Sequence, residues 1–209
     1  NIRAVKLLLE AGADVNYKDY FHVSPLLDAI DGGHDEVIRL LISHGAEVNP
    51  RPGKKAACIP LHQSISKFGG AITSCIYERE KKGEKINNLH IEKIKDKWFT
   101  ILDLLIKTGA DVNLRDEDGR TPLFAAISSR QVDIIKYIIK SGASINHKDK
   151  EKNTALHHLL KLWHFKEETG VEIAKLLLES GIKRNIKDKE GNTPEDIINK
   201  QNYMQLKAL

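Results

Sequence analysis

The chain has 209 residues, 41% of them hydrophobic and 30% charged, with a formal net charge of +4, the balance of an ordinary soluble globular protein. Two cysteines, Cys58 and Cys75, are too few for a disulfide framework and predict a reducing, intracellular, cytoplasmic setting. No apolar run approaches the roughly 18 residues of a membrane span, no signal peptide is visible, and the mild charge neither requires nor excludes an acidic partner.

Residues 1–16 open on Ile2 to Leu9, an apolar-periodic stretch that reads as a helix and runs into Gly12-Ala13-Asp14-Val15-Asn16. Residues 17–49 begin with a turn, then two short helices opened by Ser24-Pro25-Leu26 and by Gly33-His34. Residues 50–113 are irregular. Their turn, Pro50 to Lys55, lacks Asp; Pro60-Leu61-His62 opens one helix and Trp98 to Lys107 forms another. Between them, at about 69–97, Ile72, Cys75 and Ile76 have helical spacing, Glu78 to Lys85 is nearly all charged, and Ile91 and Ile94 resume the spacing. This predicts an insertion of two helical pieces joined by a solvated turn at Lys82-Gly83. The rival reading takes Gly83 to Asn87 as a decayed closing motif that splits the region into two short repeats.

Residues 114–146 are the plainest segment. Asp116 to Gly119 is turn chemistry, with Gly119 supplying positive φ; Thr121 is placed as an N-cap and Pro122 at the first helical position. A helix from Leu123 to about Ser128 follows, then a second from Val132 to Lys140, ended by Gly142. Residues 147–185 repeat this with Lys152 where glycine is expected and extra residues at about 162–169. Residues 186–209 begin the same way, but Glu195-Asp196 stands where apolar residues are expected.

The closing motif recurs as Gly12 to Asn16, Gly45 to Asn49, Gly109 to Asn113, Gly142 to Asn146 and, weakly, Gly181 to Asn185, at glycine separations of 33, 64, 33 and 39. One helix pair cannot bury its apolar stripe alone, so the units must stack. The chain resembles the ankyrin repeat family, whose motif runs D-x-x-G-x-T-P-L-H-x-A-A and closes on G-A-D-V-N. That resemblance implies an all-α repeat solenoid of helix–turn–helix units with hairpin-like turns, about five to six repeats with two insertions. It implies one domain over 1–209: a partial repeat at 1–16 whose first helix lies upstream, repeats at 17–49, 50–113, 114–146 and 147–185, and a C-terminal capping repeat at 186–209. Lys-, Ile- and Asn-rich composition also resembles ankyrin proteins of intracellular bacteria and large DNA viruses that act on host proteins.

Catalytic and metal chemistry is thin. His62 and His157 sit at the family's T-P-L-H position, which implies a structural role, and His157, His158 and His164 lack further ligands for a metal. No phosphate loop, complete calcium loop or nucleophile–base motif is present, so neither catalytic activity nor a cofactor is expected. The resemblance implies a protein partner instead, met by a monomeric scaffold through turn tips and first helices. The residues so placed are Lys18, Tyr20, Phe21, Arg115, Glu117, Asp118, Arg120, Ser128, Ser129, Lys148 and Lys150, with Asp31, Lys67, Lys161, Lys187 and Lys189 beside them. At the tips, His22 replaces glycine, so the turn is remodelled or left-handed, and Tyr20 and Phe21 either fold back or face a partner. Trp163 and Phe165 in the short insertion, and Ile91 and Ile94 in the long one, are expected as exposed anchors. The resemblance also implies asparaginyl hydroxylation at Asn113 and, next, Asn16; the bland reading is that these side chains bond the turn backbone. Interleaved acidic residues argue against nucleic acid, and a targeting role within a larger enzyme stays open.

Overall fold

The computed structural model describes residues 1–51, 59–83, 88–162, 168–200 and Leu206. The chain forms two compact units, Asn1–Asp111 and Val112–Leu209, the division falling within the closing motif of Gly109 to Asn113. All regular structure among the described residues is helical.

In the first unit, α1 (Ile2–Glu10), α3 (Asp35–Ser43) and α5 (Asn88–Lys107) form one layer, and α2 (Pro25–Asp31) and α4 (Pro60–Lys81) the other. α2 and α4 each start at proline, whose missing N–H falls where no intrahelical bond is available. In the second unit, α6 (Pro122–Ser129), α8 (Ala155–Leu162) and α10 (Pro194–Lys200) pack side by side, with α7 (Val132–Lys140) and α9 (Glu168–Glu179) behind them. The apolar stripes meet between the layers: Ile30, Ile38, Leu61, Ile65, Ile101 and Leu105 are wholly buried in the first unit, and Leu123, Ile127, Ile134, Ile138, Leu159 and Leu177 in the second.

The long insertion is built as extra length on the repeat's own helices. α4 runs unbroken for 22 residues through Gly69-Gly70, and α5 for 20 residues into the segment that begins at Trp98. The turn at Lys82-Gly83, with Gly83 at φ 66°, falls where the charge run predicts it. The signal for continuity was in the sequence: Leu61, Ile65, Phe68 and Ile72 keep helical spacing across the glycines, and Ile91, Ile94, Trp98, Ile101 and Leu105 keep it along α5. The two helices pack along each other, with Phe68 and Phe99 edge to face at 5.3 Å. Ile91 and Ile94, expected as surface anchors, are instead half-buried, and Trp98 is core at 6% exposure. Trp163 and Phe165 lie outside the described residues.

One turn design recurs in four places. Asp19, Asp116, Asp149 and Asp188 each accept on Oδ1 from the amides two and four residues on, at 2.8–3.0 Å. The residue three past each Asp is left-handed: His22 (φ 62°), Gly119 (φ 76°), Lys152 (φ 60°) and Gly191 (φ 85°). His22 and Lys152 therefore keep the turn in the glycine conformation; it is not remodelled. A carboxylate that accepts two amide N–H groups holds the loop even when the residue in the strained well has a Cβ.

Candidate interaction surface

Within each unit the closing asparagines tie one repeat to the next. Asn16 donates from Nδ2 to the Gly45 carbonyl (3.0 Å) and accepts on Oδ1 from the Glu47 amide (2.7 Å). Asn49 does the same with Gly109 (2.7 Å) and Asp111 (2.8 Å), Asn113 with Gly142 (3.1 Å) and Ser144 (2.7 Å), and Asn146 with Gly181 (3.1 Å) and Lys183 (2.7 Å). Asn113 and Asn16 thus bond the turn backbone, as the bland reading of the modification sites has it. In the second unit the turn tips are joined as well: Lys150 N donates to Asp118 O, and Lys189 N to Glu151 O, both at 2.9 Å.

On this frame the expected surface residues separate into two groups. Many are engaged inside the protein. Lys67 pairs with Asp31, which also accepts from Gln63. Lys18 lies 4.0 Å from Glu47. Arg120 reaches Asp118 at 3.1 Å and the buried Asp149 at 3.9 Å. Ser129 Oγ donates to the Ala126 carbonyl, and Ser128 Oγ bonds His158 Nε2 across the repeat boundary at 2.9 Å. Lys161, expected in the groove, reaches inward to Asn153 Oδ1 and to Asp188 Oδ2, both at 2.9 Å. Burial pushes the Asp188 carboxyl up, but the Lys161 and Asn192 hydrogen bonds outweigh it and hold the group below the usual carboxylate range.

The other group faces solvent. Tyr20 and Phe21 are 89% and 76% exposed and stand edge to face, ring centroids 5.3 Å apart, at the tip of the Asp19 turn; of the two readings, they point outward. Arg115, Lys148 and Lys150 are exposed, and Glu117 is half-buried with Oε1 lacking a hydrogen-bond partner.

His157 is bonded into the turns on both sides of its ring. His157 Nε2 lies 3.1 Å from the Asn192 carbonyl, which can only accept, so that nitrogen carries the proton. Nδ1 then accepts from the Thr154 amide and hydroxyl. Burial lowers the His157 pKa, against the pull of the Asn192 bond and of Asp188. In the preceding repeat Phe124 occupies this position, and the Thr121 hydroxyl, expected to cap α6, is buried without a hydrogen-bond partner. In the last repeat Asp196 takes the place: its Oδ2 accepts from the Thr193 amide (2.8 Å) and hydroxyl (2.6 Å), while its own amide donates to Thr193 Oγ1 (3.2 Å). The acidic departure in the motif is thus a reciprocal cap. No group of three or more His, Cys, Asp or Glu side chains gathers at metal-binding distance among the described residues, and no described helix is long and apolar enough to cross a membrane.

A family model of ankyrin repeats in three copies matches residues 1–78 and 89–188. The chain belongs to the ankyrin repeat family. Residues 79–88 and 189–209 lie outside the match; of the first group, 79–83 and 88 fall at the far ends of α4 and α5. The chain is 29% identical over 146 residues to an ankyrin repeat protein of fowlpox virus, covering 64% of this chain and 42% of that protein. It is 28% identical over 133 residues to the mouse B-cell lymphoma 3 protein homolog, covering 63% and 23%. With the mouse ankyrin repeat and SOCS box protein 6 the identity is 26% over 128 residues, covering 61% and 24%. The chain thus spans less than half the length of each of these relatives. Ankyrin repeats serve in general as protein–protein interaction modules, and this chain carries that module.

Proposed function

We propose that this ankyrin chain is an adaptor that holds a protein partner on its turn tips and the adjoining faces of its first helices. The observation that carries this is the Tyr20–Phe21 pair. Two large rings are exposed side by side on a turn fixed by the Asp19 bonds and by a left-handed His22. Exposing them has no folding benefit, and aromatics on a rigid support are the residues that most often dominate binding energy. Because the chain spans 42% or less of the three relatives' lengths, the same role within a longer protein or effector, with chemistry outside residues 1–209, is the second reading.

The test compares proteins captured from lysate by the wild-type chain, by a Tyr20→Ala/Phe21→Ala variant, and by a Lys136→Ala/Lys175→Ala variant altered on α7 and α9. Partners retained by the wild type and the α7/α9 variant should be lost by the aromatic variant, with affinity for the purified partner weakened by more than about 2 kcal/mol. Equal capture by all three proteins would remove the turn tips from the reading.

A further inference from the structure

We propose that the turns of the second unit carry a cation strip for an extended acidic peptide. Exposure alternates along the segment entering each turn. Arg115 is exposed beside half-buried Asp116; Lys148 and Lys150 are exposed on either side of buried Asp149; Lys187 and Lys189 are exposed on either side of buried Asp188. The turn carboxylates are held inward by the amides they accept from, which leaves the flanking cations outward. The backbone bonds Lys150 N to Asp118 O and Lys189 N to Glu151 O lock the turns in register, so equivalent positions line up from turn to turn.

The charge on this face is largely unneutralised. Asp116, Asp149 and Asp188 are spent on the turn amides, and Lys161 pairs with Asp188 from within. Lys189 is matched by Glu151 at 3.0 Å. Arg115, Lys148, Lys150 and Lys187 have no carboxylate at ion-pair distance among the described residues, although Lys187 feels the charge of Asp196, and each lies directly beside the aspartate of one of three successive turns. Together these turns fit a partner chain presenting carboxylates at intervals. A nucleic-acid strand fits less well, because Glu117, Glu151 and Glu190 flank the strip and would oppose a continuous phosphate backbone.

The probe is a fluorescein-labelled twelve-residue peptide of alternating Glu and Ser, followed by fluorescence polarisation at low and physiological salt, with a single-stranded twelve-nucleotide DNA as the competing class. The full chain should bind the peptide with a steep salt dependence. Lys148→Glu/Lys187→Glu should weaken binding at least about tenfold, while Lys136→Glu/Lys175→Glu, an equal change of net charge on α7 and α9, should weaken it less than about threefold. Neither turn lysine makes the bonds that fix its turn, so the thermal melt of the first variant should stay cooperative. Absence of peptide binding at low salt, equal effects of the two charge reversals, or DNA bound as tightly as peptide would each overturn the proposal. None of those outcomes touches the aromatic tip, which lies in the other unit and is tested by its own variant.

Discussion

At His158 several neighbours act on one ring. It packs against Phe124 at 5.3 Å and bonds Ser128, and burial, then the nearby Arg120 charge, bring its pKa down to about 4, against the opposing pull of Asp149 and Asp116. That value lies below the ordinary 6.5, so the unfolded chain takes up the proton first. The stability this site contributes is complete above pH 6.5 and is lost as pH falls towards 4. His157, lowered in the same direction, adds to the loss. The melting temperature should therefore fall across this window, and less so in His158→Gln; parallel falls in both proteins would clear His158 of the effect. Gly119 provides a second residue-level test. A Cβ there would sit 3.2 Å from the Lys150 backbone nitrogen at φ +76°, so Gly119→Ala should cost more than about 1 kcal/mol in a thermal or denaturant melt. At Lys152, where the same well already holds a side chain, Lys152→Gly should be neutral or stabilising. If the two substitutions had the same sign and size, the close approach of Lys150 would not matter.

Among the elements, α4 stands apart because two glycines sit inside it. Gly70 is exposed and a Cβ would meet nothing within 4 Å, so Gly70→Ala should stabilise the protein by about 1 kcal/mol, raising the melting temperature by a few degrees. A loss of stability would show that the helix does not run straight through the pair in solution. Those glycines also mark where the sequence was hardest to read. Helix type and phase were legible throughout, because apolar spacing survives insertions: α2, α3, α6 and α7 begin where Pro25, Asp35, Pro122 and Val132 suggest. The spacing runs on into the inserted pieces, but a Gly-Gly pair reads as a break whenever local propensity is weighed without the packing that overrides it, and that hides the continuity. The candidate surface was legible by position only. Register says which residues reach the turns, but Lys67, Ser128 and Lys161 have hydrogen-bonding or ionic partners dozens of residues away in sequence, and no local pattern announces such pairings.

Across the whole molecule, the repeated asparagine clamp is the most regular long-range link, because it acts between backbones that are otherwise remote; Asn49 spans 60 residues to Gly109. Asn113→Ala would leave the Gly142 carbonyl and Ser144 amide without these partners and should cost about 1–3 kcal/mol. Asn185→Ala, in the exposed last copy, should cost far less, and similar losses at both positions would point to local turn strain as the cause. The same regularity makes the α4–α5 extension mechanically unusual. Beyond Gly69 the helix continues to Lys81, which at 1.5 Å per residue is a rod of about 18 Å standing on a single repeat. Such a rod is a cantilever: a bend of about 10° at its glycine root would sweep the outer end through roughly 3 Å, a displacement comparable to a side-chain diameter. A label at exposed Tyr77 would therefore report, amplified, on small changes of angle at the base of the repeat.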